Sequence, residues 1–206
     1  MWVNLSAANE LTRAASVEAI VRAIRACAPL DIASFALHAT GPFGNEVAPG
    51  VGDPKQSLWL QLMLAGIDRS FRDLTRAVPT APLAVETMEG FPFAWQAELV
   101  AEHDLGICCD VGHLVVRGDD PAGFIEAWLP RIRQIHLHGV REQFFSGNMR
   151  RRIDHRPLGG PGELVDVPGL LRLLEARGFR GPVIVESRSR ADLAQSVAAL
   201  RRAMGE

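Results

Sequence analysis

Several common features are absent from this sequence. It has no tyrosine and only three cysteines in 206 residues. An odd cysteine count, with Cys108 and Cys109 adjacent, does not suit a disulfide framework, so a reducing cytoplasm is the expected compartment. No apolar run approaches the ~18 residues of a membrane span. No charged segment followed by an apolar run, as in a signal peptide, is visible at the N-terminus.

Strong net charge is also absent. The formal net charge is −2, so no broad basic field indicates a nucleic-acid partner. Hydrophobic residues make up 48% and charged residues 22%, which is typical of a globular chain. The length predicts a single domain over residues 1–206. These properties leave the oligomeric state open.

Short apolar runs alternate with amphipathic stretches along the chain. Strands are predicted over 34–38, 83–86, 106–110, 132–138 and 182–186. Helices are predicted over 10–27, 54–77, 93–103, 121–128, 166–177 and 190–204. Residues 2–5 could end a sixth strand. A loop rich in glycine and proline is predicted over 40–53, and a polar, glycine-rich loop over 139–162. This alternation predicts parallel strands in an α/β fold.

Carboxylates and imidazoles recur where the predicted strands end. The strand-end set is His38, Glu86, Asp110, His113, His136, His138 and Glu186, and the long loop adds Asp154 and His155. Parallel strands bring their C-terminal ends to one rim, so these residues should converge. Such donors suit a divalent cation, with zinc or manganese expected first. Of the two neighbouring histidines, His136 is the preferred ligand, which leaves His138 for substrate contact or a supporting position.

Several motifs together resemble the xylose isomerase-like (AP endonuclease family 2) barrel superfamily. They are Glu86, Asp110-Val-Gly-His113, Ile135-His-Leu-His138, His155-Arg-Pro-Leu-Gly159 and Val185-Glu186. The superfamily includes sugar and sugar-phosphate isomerases and epimerases, and endonuclease IV. The resemblance implies a (β/α) TIM-type barrel, with about five to six of the family's eight strands present and the chain truncated at its N-terminus.

The resemblance also implies roles for individual residues. The core metal ligands would be Glu86, Asp110, His136 and Glu186, and the additional ligands of the endonuclease IV branch would be His38, His113 and His155. That branch has an aspartate where this chain has Ile153, with Asp154 displaced by one position. Either Glu86 or Glu186 would act as the catalytic base. His138, Asp154, Arg141 and Arg156 would contact the substrate.

A closer likeness is to the cobamide-remodelling phosphodiesterases of this superfamily. It is carried by Pro29–His38, Cys109–Leu114, Leu129–Val140 and Asp154-His155. It implies metal-dependent hydrolysis of the nucleotide-loop phosphodiester of a cobamide to cobinamide phosphate. The alternative is a sugar or sugar-phosphate isomerase or epimerase with the same metal-binding core. A second alternative is an inactive truncated barrel or a corrinoid-binding protein. The substrate expected is thus a small molecule, either a corrinoid or a sugar phosphate.

Overall fold

The computed structural model describes residues 3–41, 56–80, 82–145 and 149–206. The chain divides into two compact units, Met1–Cys108 and Cys109–Glu206, and the prediction of a single domain stays a prediction. Within the described ranges, no helix is long and apolar enough to cross a membrane.

The first unit alternates helices with parallel strands. Its elements are α1 (Glu10–Ala26), β1 (Phe35–Leu37), α2 (Leu58–Ala77), β2 (Leu83–Glu86), a 3-10 turn (Phe93–Trp95), α3 (Ala97–Glu102) and the first residues of β3 (Gly106–Asp110). β2 pairs in parallel with β1 on one side and with β3 on the other, with Ala84 opposite both Ala36 and Gly106. Parallel neighbours need a crossover connection, which the helices supply.

Helix α2 provides much of the core of this unit. Leu60, Ile67, Phe71 and Leu74 recur on one face of the helix, and all four are fully buried. Its first turn is capped by Ser57, whose side chain accepts a hydrogen bond from the backbone N–H of Leu60 at 3.3 Å.

A glycine brings the chain before α1 close to α2. A Cβ added at Gly66 would lie 2.9 Å from the carbonyl oxygen of Ser6 and 3.1 Å from that of Ala7. Both neighbours are backbone atoms, which cannot rotate away as a side chain can. The hydroxyl of Ser70, one turn further along α2, donates to the carbonyl of Leu5 at 2.7 Å. Gly66 therefore permits the approach that this hydrogen bond requires.

We expect Gly66→Ala to lower the free energy of unfolding by about 1–3 kcal/mol, the usual cost of overpacking. Helix propensity alone predicts the opposite sign, a gain of about 1 kcal/mol. The matched control is Ala65→Gly at the neighbouring exposed position, which should cost about 1 kcal/mol through propensity only. Urea unfolding measures both variants. A Gly66→Ala protein more stable than wild type would contradict the close approach.

The second unit combines helices, two parallel strands and a hairpin. Its elements are the end of β3, α4 (Val111–Arg117), α5 (Pro121–Trp128), a 3-10 turn (Leu129–Arg131), β4 (Ile132–Leu137), β5 (Gly139–Phe145), β6 (Met149–Arg156), α6 (Val167–Ala176), β7 (Val183–Val185) and α7 (Arg190–Met204). β4 and β7 are parallel, with His136 opposite Ile184, whereas β5 and β6 are antiparallel.

Aspartate and serine side chains start the helices of this unit. Asp110 caps α4, Asp120 caps α5, Asp166 caps α6 and Ser189 caps α7, each accepting a backbone N–H of the first turn. Such caps satisfy donors that the helix itself leaves unpaired. The cap of α4 is also the last residue of β3, so strand and helix join without a connecting loop.

Three predictions of secondary structure were wrong. The predicted loop 139–162 contains the hairpin β5–β6, which carries charged side chains and lacks the apolar alternation that marks a half-buried strand. The possible sixth strand at 2–5 is not present at residues 3–5, and residue 2 lies outside the described range. Helix α4 was missed because Asp110 both ends a strand and begins a helix. The predicted loop at 40–53 lies outside the described residues from 42 onwards.

Candidate metal centre

In the first unit, the structure pairs two of the predicted site residues. Glu86 ends β2 and is buried, and its Oε2 lies 3.0 Å from Nε2 of His38, just after β1. The His38 side chain is about half exposed. Parallel pairing of β1 with β2 brings these two strand ends side by side.

In the second unit, Asp110 is the most deeply buried acidic member of the predicted set. Its Oδ1 accepts the backbone N–H of His113 at 2.8 Å and lies 3.1 Å from Nε2 of His138. Its Oδ2 lies 3.6 Å from Nδ1 of His113 and 3.9 Å from Nδ1 of His136. Oδ1 of Asp110 therefore contacts the backbone of α4 and the ring of His138, while Oδ2 faces the imidazoles of His113 and His136.

His136 and Glu186 come from neighbouring parallel strands. His136 lies in β4 and Glu186 directly follows β7, and Nδ1 of His136 is 3.0 Å from Oε1 of Glu186. The other ring nitrogen of His136, Nε2, lies 2.9 Å from the side-chain amide of buried Gln134. A partner on the second nitrogen fixes the orientation of the ring, as is common for metal-binding histidines.

A β-bulge in the hairpin carries Asp154 and His155. Gly139 pairs with Arg156 and Arg141 with Ile153, so the single residue Val140 faces two residues of β6. His155 adopts a left-handed backbone with φ of 49°, a conformation that histidine tolerates better than most residues. Bulges of this kind redirect side chains away from strict alternation.

The bulge directs Asp154 and His155 to the same cluster. Oδ2 of Asp154 lies 3.2 Å from Nδ1 of His155 and 3.8 Å from Nε2 of His113. Nε2 of His155 lies 2.9 Å from Oε2 of Glu186, so Glu186 is contacted by two imidazoles. The aspartate displaced by one position in the sequence therefore still reaches both histidines.

These contacts shift the pKa values of three groups. Hydrogen bonds from His136 and then His155 hold the pKa of Glu186 far below its usual range, so this carboxyl group is ionised at neutral pH. Contact with Asp154 and then Glu186 raises the pKa of His155 to about 10. Burial acts to lower the pKa of His138, but contact with the Asp110 carboxylate outweighs it and raises the pKa.

The donor set fits a divalent cation. Two groups in this unit have ligand atoms within 4.8 Å of one another, Asp110–His138–Glu186 and His113–His138–His155. Ligand atoms about 2.1 Å from a shared ion and at right angles to each other are about 3 Å apart. Nδ1 of His136 lies 3.0 Å from Oε1 of Glu186, which equals that value, and 3.9 Å from Oδ2 of Asp110, which would require a wider angle at the ion. Carboxylate and imidazole together suit zinc or manganese.

The two arginines predicted to bind substrate both make contacts within the hairpin β5–β6 and the residue that follows it. The guanidinium of Arg141 donates to the carbonyl of Pro157 at 2.9 Å, and Arg156 donates to the side chain of Gln143 at 3.3 Å. Neither contact tests the prediction that they bind substrate.

Sequence reasoning missed two residues that support the cluster. Gln134 contacts His136, and Arg188 donates to Oδ1 of Asp154 at 3.2 Å. Gln134 is two positions before His136 and so lies on the same face of β4. That spacing is a signal that could have found it, whereas nothing in the sequence indicates the contact of Arg188.

The sequence matches the model of one protein family, the xylose isomerase-like TIM barrel, over residues 2–204. The chain belongs to this family. The match confirms the predicted α/β fold of the TIM-barrel type and the predicted superfamily. No curated protein matches the sequence.

Solved structures of similar fold include several sugar epimerases. A 3-keto-D-glucoside 4-epimerase from E. coli is 19% identical with a TM-score of 0.71, and a D-tagatose 3-epimerase-like protein is 19% identical with a TM-score of 0.75. An L-ribulose 3-epimerase is 17% identical with a TM-score of 0.65. Each alignment covers 98% of this chain and 73% of the other. At such identities the likeness shows the fold alone. None of the three is described as a phosphodiesterase, so the closer resemblance to the cobamide-remodelling enzymes stays a prediction.

We expect the wild-type chain to bind Mn²⁺ and Glu186→Gln to lose more than about 100-fold in affinity. Even outer partners of a metal site cost about 10–100-fold, and Glu186 would be a direct ligand. Isothermal titration calorimetry on the metal-free protein measures this. Glu175→Gln, on the exposed face of α6, is the control and should bind as wild type does. Equal affinity in the Glu186→Gln protein would refute Glu186 as a ligand.

Proposed function

We propose that this chain is a divalent-metal-dependent epimerase or isomerase of a small keto sugar. The observation that carries the proposal is the convergence of Asp110, His136 and Glu186 from three strand ends, at distances suited to one cation. The sugar epimerases of similar fold support the same class of substrate. Family fold alone does not decide an activity, so the chemistry of the site must carry the argument.

Such a reaction requires that the C–H bond beside the substrate carbonyl becomes more acidic and that a base removes its proton. A divalent cation held by Asp110, His136 and Glu186 would polarise the substrate carbonyl and stabilise negative charge on its oxygen. The neighbouring carbon would lose its proton to a protein carboxylate acting as general base, and return of a proton to the opposite face of that carbon, or to the adjacent carbon, would complete the epimerisation or isomerisation.

The carboxylates of the predicted set are not equally suited to act as metal ligand and as general base. Hydrogen bonds from His136 and His155 lower the pKa of Glu186, so this carboxyl group is ionised at neutral pH, as a metal ligand must be. Asp110 is fully buried and contacts the backbone and His138, which also suits a ligand. We therefore assign both to the cation. The role of Glu86 as base, which the resemblance implies, stays a prediction.

We expect the Mn²⁺-loaded chain in D₂O to exchange the proton on the carbon beside the carbonyl of a ketose. NMR of D-tagatose and L-ribulose measures the exchange directly, even where the epimer is little populated. Glu186→Gln should lower the exchange rate at least about 100-fold through loss of metal, while Glu175→Gln should not change it. A metal-loaded wild-type protein that exchanges no ketose proton would overturn the proposal.

A second candidate function is supported by the cluster next to this site. His113, Asp154 and His155 form a further set of donors, with 3.8 Å and 3.2 Å from Oδ2 of Asp154 to the two histidines. Two adjacent metal ions are the usual arrangement for in-line cleavage of a phosphodiester. The cobamide substrate comes from the sequence resemblance alone.

Metal stoichiometry separates the two candidates. For the phosphodiesterase we expect two Mn²⁺ per chain, release of cobinamide phosphate from adenosylcobalamin, and loss of one ion in Asp154→Asn. For the epimerase we expect one ion per chain, which Asp154→Asn retains along with ketose exchange. Asp119→Asn, at an exposed ion pair with Arg117, is the control for both assays. One ion together with no release from adenosylcobalamin would exclude the hydrolase.

A further inference from the structure

Glu163 lies in sequence between the hairpin β5–β6 and α6, and one oxygen of its carboxylate is bonded three times to the backbone. Oε1 accepts the N–H of Val140 at 2.9 Å and the N–H groups of Leu164 and Val165 at 3.0 Å each. The bonds from Leu164 and Val165 are local and close the turn that Glu163 begins. The bond from Val140 is different, because it joins this turn to a strand 23 residues earlier in the chain.

Val140 is the residue of β5 that faces the bulge in β6. It is fully buried, so a backbone N–H left there without an acceptor would be costly. Glu163 supplies the acceptor, and the carbonyl of Val140 in turn accepts the N–H of Leu164 at 2.9 Å. Both polar backbone groups of Val140 are thus bonded to the chain before α6. The hairpin is therefore tied to that segment at the level of Asp154 and His155.

The residue before Val140 has no side chain, which lets the carboxylate of Glu163 approach β5 closely. A Cβ added at Gly139 would lie 2.6 Å from Oε2 of Glu163. It would also lie 2.7 Å from the backbone carbonyl oxygens of Arg156 and Pro157. Within the part of the chain that the structure describes, Oε2 has no hydrogen-bond partner, so the hydrogen bonds of Glu163 all pass through Oε1. A side chain with a single carbonyl oxygen at this reach could therefore make the same bonds.

We propose that Glu163 is a positioning residue for the metal centre. Through the N–H of Val140 it holds in place the bulge that carries Asp154 and His155. Nε2 of His155 lies 2.9 Å from Oε2 of Glu186, so a displaced bulge would disturb a residue that we assign to the cation. The inference rests on the metal centre of the proposed function, but it does not depend on which substrate that centre serves.

Three substitutions separate the reach of the Glu163 side chain from its charge. Glu163→Gln keeps a carbonyl oxygen at the same reach and removes the charge. Glu163→Asp keeps the charge on a shorter side chain, which can still close its own turn but cannot reach Val140. Glu163→Leu keeps bulk and removes both properties. We therefore expect Glu163→Gln to behave as wild type does, and the other two variants to loosen the hairpin.

Amide hydrogen exchange of the metal-free protein, followed by NMR, tests the anchor itself. We expect the Val140 amide to exchange at least about tenfold faster than wild type in Glu163→Asp and Glu163→Leu, and at the wild-type rate in Glu163→Gln. The Val165 amide should stay protected in Glu163→Asp, because aspartate can accept that N–H within the turn. Faster exchange of Val140 in Glu163→Gln, together with wild-type exchange in Glu163→Asp, would show that charge matters instead of reach and would overturn the proposal.

Calorimetry of Mn²⁺ binding tests the effect of the anchor on the metal centre. Loss of an outer partner costs about 10–100-fold in metal affinity, and Glu163 acts one step further out, so we expect about a tenfold loss in Glu163→Asp and Glu163→Leu and less than about threefold in Glu163→Gln. The matched control is Glu142→Leu, which removes an exposed carboxylate, paired with Arg150, from the same strand β5. It should change neither the exchange of Val140 nor the Mn²⁺ affinity. Wild-type affinity in both Glu163→Asp and Glu163→Leu would overturn the positioning role.

The outcomes separate the positioning role from the proposed activity. If amide exchange and Mn²⁺ affinities agree with expectation while no ketose proton exchanges, the activity fails and the positioning role stands. If the wild type exchanges a ketose proton while Glu163→Asp and Glu163→Leu bind Mn²⁺ as tightly as wild type, the activity stands and the positioning role fails. A wild-type chain that binds no Mn²⁺ would overturn both. Should Glu163→Leu not fold, Glu163→Asp compared with Glu163→Gln decides the question.

Discussion

The buried carboxylate of Asp110 is the contact on which the second unit depends. Asp110 is the last residue of β3. Its Oδ1 caps α4 by accepting the backbone N–H of His113 and also faces the ring of His138. Its Oδ2 faces the imidazoles of His113 and His136. A buried carboxylate is stable only when its oxygens are satisfied by donors or by cations. The local fold and the attraction for a cation therefore arise from the same requirement.

Glu186 and Asp154 are more exposed than Asp110, and each is likewise contacted by basic side chains. Glu186 is contacted by His136 and by His155, and those hydrogen bonds keep it ionised. Asp154 in turn contacts His155 and Arg188. Imidazoles and carboxylates alternate along this path, so each carboxylate has an imidazole beside it.

Much of the candidate site could be predicted from the sequence because its residues lie at or just after the C-terminal ends of strands. Asp110, His136 and Glu186 were predicted to converge from residue type and from their place at the C-terminal ends of parallel strands, a rule that does not need exact geometry, whereas their role as core ligands came from the family resemblance. The five parallel strands were placed for the same reason, since their apolar runs are short and continuous. The expected contact of His138 with the substrate stays a prediction.

What the sequence could not show was the hairpin. Its strands are charged, so hydrophobic periodicity gives no signal there, and β5 and β6 are held by backbone pairing. The support from Gln134 and Arg188 was also missed, because it depends on side-chain directions that spacing alone does not determine. The activity is a further step, since related barrels use similar donors for different reactions.

The bulge in β6 bears on how relatives of this chain can be recognised. One added residue opposite Val140, together with the left-handed backbone at His155, changes the spacing between acid and imidazole, while Asp154 still reaches His113 and His155 still reaches Glu186. A search pattern that demands a fixed number of residues between the two would pass over this sequence. Classification in this family is therefore safer when it compares positions in space than when it counts letters between them.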